Sequence, residues 1–182
     1  MSQNKTYIIF SQPVDNNSAQ RLVNIVLEKL KMGKTVFTIL ISSPGGQVSA
    51  GISIYNFLKG IPAEVITHNF GQSDSIAVTI FCAGSKRYCT PDSRFLIHGV
   101  GFNTIQGERF DERLVGEKLE ALKNDRVTIS KIISENSKKS TKEIEDDMLQ
   151  GVVWVPEQAI ANGLVHETKK ELFERGADVI QI

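Results

Sequence analysis

Cysteine is scarce: Cys82 and Cys89 are the two in 182 residues, and they form no CxxC pair. This excludes a disulfide framework and a cysteine-rich zinc module, and two reduced structural thiols of a cytoplasmic protein are expected. An excess of either charge is also missing. Lys plus Arg number 21 and Asp plus Glu number 21, so the formal net charge is zero. Neither a nucleic acid nor an anionic membrane surface is therefore expected as a partner. Long apolar runs are lacking too. The stretch from Thr35 to Ile41 falls short of the ~20 residues that cross a bilayer. The opening Met1-Ser2-Gln3-Asn4-Lys5-Thr6 has no apolar signal-peptide core, and a cytoplasmic location is expected. The three histidines, His68, His98 and His166, and the two cysteines do not cluster into ligand spacing. No metal or other cofactor is expected.

What is present suffices for a core. Apolar residues make up 41%, enough for one globular domain over residues 1–182. Tyr7 to Phe10 reads as a short strand. Asn16 or Asn17 can cap a helix whose Ala19, Leu22, Val23, Val26, Leu27 and Leu30 recur at helical spacing, with Gly33 ending it. Thr35 to Ile41 is β-branched and apolar, a buried strand. The turn Ser43-Pro44-Gly45-Gly46 leads into a helix from about Val48 to Lys59. Ala63 to Phe70 is a further strand, Gly71 to Asp74 a loop, Ser75 to Ala83 a buried helix and Arg94 to His98 another strand. The alternation predicts parallel β-structure with right-handed crossovers. Beyond it, Asp111 to Glu135 is long, charged and helical, with Leu114, Leu119, Leu122, Val127, Ile129, Ile132 and Ile133 on it. It is expected to project as an arm. Ser140 and Glu143 make a capping box for a short helix. Val152 to Val155 is a strand, and Pro156 opens a helix that Gly163 ends.

Acyl transfer by a serine needs a base for the hydroxyl proton and fixed N–H groups for the oxyanion. His98 ends a parallel strand, where sites gather in open α/β sheets. His68 also lies near a strand end, so position does not choose between them. Ser75 stands at a strand-to-helix junction, where amide N–H groups and the helix dipole favour an anion. Gly45-Gly46 follows another strand and allows close backbone approach. Each signal has an ordinary structural alternative: a plain helix cap, a strand-end histidine, a Pro-Gly-Gly turn. Spacing alone does not identify a protease.

The segments Ile41-Ser42-Ser43-Pro44-Gly45-Gly46-Gln47-Val48-Ser49-Ala50-Gly51 and Ser53-Ile54-Tyr55 resemble the Ser-Pro-Gly-Gly region of the Clp protease proteolytic subunit family. Gly71-Gln72-Ser73-Asp74-Ser75 resembles its nucleophile loop. Lys86-Arg87-Tyr88, Pro91, Ser93-Arg94 and Ile97-His98 resemble its approach to the catalytic histidine, and Glu157, Ala159 and Gly163-Leu164-Val165 its C-terminal part. The resemblance runs from Tyr7 to about Thr168. It implies an α/β fold of the ClpP/crotonase type, a spiral of strand–strand–helix units with a projecting helical handle at about 111–135. It implies a serine endopeptidase in which Ser75 is the nucleophile, His98 the general base, and the backbone N–H groups of Gly46 and Ile76 the oxyanion hole. The implied substrate is a peptide or unfolded protein, and the implied assembly is a homo-oligomer joined through the handle.

Four departures from the family pattern bear on activity. Counting without gaps puts Gly151 where the family has its third catalytic residue, an aspartate; glycine cannot orient or stabilise an imidazolium. In trypsin-like enzymes loss of that carboxylate costs about 10⁴ in kcat. Asp147, one helical turn earlier, is the surrogate carboxylate if the backbone turns it inward. Asp74 precedes the nucleophile where the family has a small residue, and is expected to cap the helix and point away. Gly99-Val100-Gly101-Phe102-Asn103 shifts the glycines of the family's substrate-aligning strand. The chain is expected to begin at its first core strand and to lack the family's axial loop, and Gln150 stands where the resemblance places the arginine of its assembly-linked Asp-Arg pair. Weak or ATP-independent peptidase activity without productive unfoldase docking is thus expected. The alternative is a catalytically silent homologue acting as an assembly or regulatory subunit. A crotonase-type acyl-CoA enzyme would share the spiral, but its chemistry commonly uses carboxylates and needs no Ser–His pair.

Overall fold

The structure is a computed structural model and describes residues 4–102 and 109–182. Strand β1 (Lys5–Phe10) leads into helix α1 (Asn16–Lys31). The helix is capped by Asp15 rather than by either asparagine after it. The Asp15 carboxylate accepts from the Ser18 N–H at 2.7 Å and the Ser18 hydroxyl accepts from the Asp15 N–H at 2.9 Å, a reciprocal box that satisfies two end donors. Leu22 and Val26 are fully buried, whereas Leu27 turns toward solvent at 42% exposure.

Strand β2 (Val36–Ser43), helix α2 (Val48–Gly60), strand β3 (Glu64–Asp74) and helix α3 (Ile76–Phe81) follow. Strand β3 runs through the expected loop at 71–74. Gln72, Ser73 and Asp74 pair in parallel with Arg94, Phe95 and Leu96, and Ser73 also faces Ser43 across a register shift in β2. Ladder pairing on both sides holds this polar segment extended, so it carries no apolar alternation to announce it. The first half of β3 pairs instead with β4 (Lys86–Cys89), and the second half with β5 (Arg94–Ile97). This split sends the sheet in two directions from one strand.

Helix α4 (Glu112–Glu135), helix α5 (Thr141–Gln150), strand β6 (Val152–Trp154), helix α6 (Pro156–Ala161), strand β7 (Glu167–Thr168) and strand β8 (Val179–Gln181) complete the chain. The sheet order is β6-β5-β3-β2-β1-β8, with β4 and β7 branching from β3. All pairs are parallel except β5 with β6. Helix α3 is buried throughout, and Phe81 meets Phe95 of β5 edge-on at 4.9 Å.

Helix α4 divides along its length. Ile129, Ile132 and Ile133 join the core, while Val115, Leu119 and Val127 are each about half exposed (50%, 49% and 50%). Arg87, buried in β4, anchors the inner end of α4: it donates to the backbone oxygens of Leu164 (2.7 Å), Gly84 (3.1 Å) and Asn136 (3.1 Å). A charge taken out of water is tolerable only with such a set of acceptors. Among the described residues no helix is long and apolar enough to cross a membrane.

Candidate active site

Two parallel strands end side by side here. Strand β2 stops at Ser43 and gives way to Pro44-Gly45-Gly46. Its neighbour β3 stops at Asp74 and gives way to Ser75 and α3. The Gly45 backbone is pressed against the second turn. A Cβ on Gly45 would lie 2.6 Å from the Asp74 oxygen, 2.7 Å from the Ser75 Cβ and 3.3 Å from the Ile76 nitrogen. Gly46, at φ +151°, abuts Val14, whose carbonyl oxygen would be 2.1 Å from an added Cβ. Only glycine admits both contacts. The link to Val14 is a parallel bridge, closed by Val14 N–H to Gly45 O and Gln47 N–H to Val14 O, both at 2.8 Å.

Ser75 has φ +59° and ψ −129° and is the sole non-glycine residue at positive φ among the described residues. Such backbone costs about 1–3 kcal/mol and persists only where its surroundings fix it. The Ser75 N–H donates to the Leu96 oxygen of β5 at 2.8 Å, and the Ser75 carbonyl accepts from Val78 at 3.0 Å. The Ser75 side chain makes no capping bond to α3. The residue is thus not a plain N-cap: the sharp turn leaves its hydroxyl uncommitted at the helix start, the arrangement of a nucleophile elbow. The amides of Gly46 and Ile76 donate to no other group among the described residues.

Of the three histidines, His98 alone shares a cleft with Ser75. That cleft, of about 750 Å³, is lined by Ser75, His98, Gly46, Val14, Phe102 and Asp125 among others. His98 follows β5 directly, two residues after the Leu96 oxygen that holds Ser75. It is exposed, and no direct hydrogen bond joins it to Ser75. His68 is buried in another cleft, with Nε2 3.1 Å from the Lys169 oxygen, and burial pushes its pKa below the usual histidine range. The Nδ1 atom of His166 accepts from the Arg87 N–H at 3.1 Å.

The antiparallel register of β5 and β6 pairs Phe95 with Trp154, Leu96 with Val153 and Ile97 with Val152. The ladder ends there, and His98 and Gly151 each lie one residue beyond its last pair. Gly151 caps α5 in the left-handed conformation, φ +73° and ψ +64°, with open space where a Cβ would be. Asp147 is engaged elsewhere. Its carboxylate is ion-paired with Lys139, its side chain is 13% exposed, and it does not line the cleft.

Asp74 does not cap the helix. Its carboxylate pairs with Arg94 Nη2 at 2.9 Å on the adjacent strand, and its other oxygen is buried without a partner among the described residues. Gly99, Val100, Gly101 and Phe102 line the cleft, while Asn103 lies outside the described residues. Two acidic residues at the cleft were not singled out from sequence, Asp15 and Asp125. The signal for Asp125 was available: it falls three residues after Leu122 and four before Ile129, a charge on the apolar stripe of α4. Among the described residues no group of His, Cys, Asp and Glu is placed to hold a metal ion.

A sequence model described as Clp protease matches residues 2–171. The chain is 29% identical over 163 residues to the ATP-dependent Clp protease proteolytic subunit 2 of Thermobifida fusca (strain YX), covering 88% of this chain and 78% of that protein. A solved structure of a ClpP1 variant from Listeria monocytogenes superposes with a TM-score of 0.82 at 22% identity, over 91% of this chain and 92% of that one. The fold is that of ClpP, and with nearly the whole sequence matched, the chain belongs to the Clp protease family.

Proposed function

We propose that this chain is a serine peptidase that cleaves peptide bonds through Ser75 and His98. The observation that carries the reading is the strained Ser75 turn, set beside two unengaged amides and in one cleft with His98. In the proposed reaction the Ser75 hydroxyl oxygen bonds to the substrate carbonyl carbon as its proton passes to the His98 imidazole. The Gly46 and Ile76 N–H groups face the resulting oxyanion, where a fixed donor is worth about 10²–10³ in rate. The tetrahedral intermediate expels the amine, which takes the proton from His98. Water, deprotonated by His98, then releases the acyl group from Ser75.

Turnover is expected to be slow, because Gly151 offers no carboxylate to orient His98. The chemistry itself consumes no ATP. The half-exposed Val115, Leu119 and Val127 support a homo-oligomer built on the outer part of α4, since apolar surface in this quantity favours a partner. A reducing, cytoplasmic setting fits Cys82 and Cys89, which are free and buried, with burial raising the Cys82 pKa to about 12.

Labelling with a fluorophosphonate tests the reading: the wild type should react and Ser75→Ala should not. Equal labelling of both, or of neither, would end it. The second reading is a silent homologue that serves in assembly, favoured by an exposed His98 and by a glycine, Gly151, one residue beyond the last β5–β6 pair. It predicts no labelling together with intact oligomers in sedimentation.

A further inference from the structure

Among the described residues two acidic side chains, Asp15 and Asp125, line the cleft, and the proposed chemistry uses neither. Asp125 lies on α4 in line with half-buried Leu122 and buried Ile129. It is itself half-buried and lines the cleft together with Ser75, His98, Val100 and Phe102. No hydrogen bond or ion pair with a described residue engages its carboxylate. Burial alone perturbs it, raising its pKa above the usual aspartate range without a compensating cation.

The other charges near the cleft are already committed or absent. Asp15 is held by its capping box with Ser18. Lys118, about two turns earlier on α4, sits over the rings of Phe102 (4.6 Å) and Phe110 (5.8 Å) and is not part of the lining. Among the described residues no lysine or arginine lines the cleft. Among the described residues its lining thus carries two carboxylates and one histidine, and of the two carboxylates only Asp125 accepts no hydrogen bond from a described residue. A carboxylate half withdrawn from water with no partner is destabilising in the free protein unless a ligand later supplies the cation.

We infer that Asp125 is a specificity residue, which receives the lysine or arginine side chain of the substrate residue whose carbonyl is attacked. That side chain branches one bond from the attacked carbon, so it must enter the same cleft as the Ser75 hydroxyl. A lysine or arginine stem can lie along Val100 and Phe102 while its charged end reaches the carboxylate. Charge-assisted hydrogen bonding of this kind discriminates by about tenfold to a hundredfold. The inference rests on the serine-peptidase reading and adds a substrate class to it.

The test uses the full chain and two peptidyl diphenyl phosphonates that differ only in carrying arginine or leucine at the residue next to phosphorus, with a generic fluorophosphonate as reference. The wild type should be labelled at least about tenfold faster by the arginine probe than by the leucine probe. Asp125→Asn, which keeps the side-chain shape, should abolish that preference while leaving leucine-probe and fluorophosphonate rates within about twofold, and Asp125→Lys should make the arginine probe the slower one. Fluorophosphonate labelling with no arginine preference, or a preference that survives in Asp125→Asn, overturns the role of Asp125 alone. Loss of the reference rate in Asp125→Asn would show that the residue acts structurally and also overturns it. Absence of labelling by all three probes overturns the peptidase reading and this inference with it.

Discussion

The two sides of the cleft are built to different standards. On the nucleophile side, Gly45, Gly46, Ser75 and Ile76 are locked by two parallel strands, the Val14 bridge and backbone contacts so close that a single Cβ would collide. On the other side, His98 is exposed after the last residue of β5, Gly151 stands one residue beyond the last β5–β6 pair, and the carboxylate of Asp147 is held by Lys139. The contrast teaches that the backbone donors of the proposed site are held by packing, whereas its proposed base has no side-chain support from a described residue. Backbone donors depend on the fold, whereas a carboxylate depends on one residue.

The largest expected effect breaks the rigid side. Ser75→Ala should lower peptide hydrolysis by about 10³-fold or more, leaving at most the contribution of binding and the oxyanion donors. Residual activity within tenfold of the wild type would place the nucleophile elsewhere. Next is Gly46→Ala. The added Cβ must push against the Val14 oxygen and shift the amide donor, so activity should fall by about 10²-fold, with a lowered Tm in thermal unfolding. An active and equally stable variant would show that this backbone is not fixed.

The loose side can be sharpened by rebuilding it. Gly151→Asp adds a carboxylate in open space one residue beyond the last β5–β6 pair, at a backbone cost of about 1 kcal/mol for leaving glycine in the left-handed region. Hydrolysis should rise at least about tenfold, against the roughly 10⁴ that a complete triad commands. No gain in a variant of unchanged fold would favour the silent-homologue reading.

Arg94→Ala probes the seam between the sides. It strips the partner from Asp74, whose side chain is 7% exposed, and should destabilise the protein by about 1–3 kcal/mol in denaturant unfolding. A change within experimental error would mean that the exposed half of the pair is already screened by solvent. The smallest effect is expected of Asp147→Asn, with activity within about twofold of wild type because the carboxylate is bound to Lys139. A loss above tenfold would reveal that Asp147 reaches His98 during catalysis.

Much of this contrast was legible in the residues. The β-branched run at Thr35 to Ile41 and the caps at Ser140 and Gly33 gave strands and helix ends correctly, because such signals are local. The short polar strand Lys86–Cys89 was not legible, nor was the extension of β3 through Gly71 to Asp74, because pairing on neighbouring strands rather than side-chain pattern holds them extended. The Asp15 cap was missed for the two asparagines beside it, since the reciprocal bond with Ser18 decides which residue takes the extended backbone.

By itself the sequence determined the alternation of elements and the glycines at the β2 turn, which depend on residue type and near neighbours, while Ser75 as candidate nucleophile and Gly151 as the position of the missing carboxylate came from the resemblance to the family. Tertiary structure put His98, the histidine the resemblance had implied, in one cleft with Ser75, and it alone decided that Asp74 turns to Arg94, that Asp147 turns to Lys139 and that Asp125 lines the cleft without a partner among the described residues. Each of those outcomes depends on groups brought together from distant parts of the chain, and the direction of a charged side chain is set by the partner it finds there.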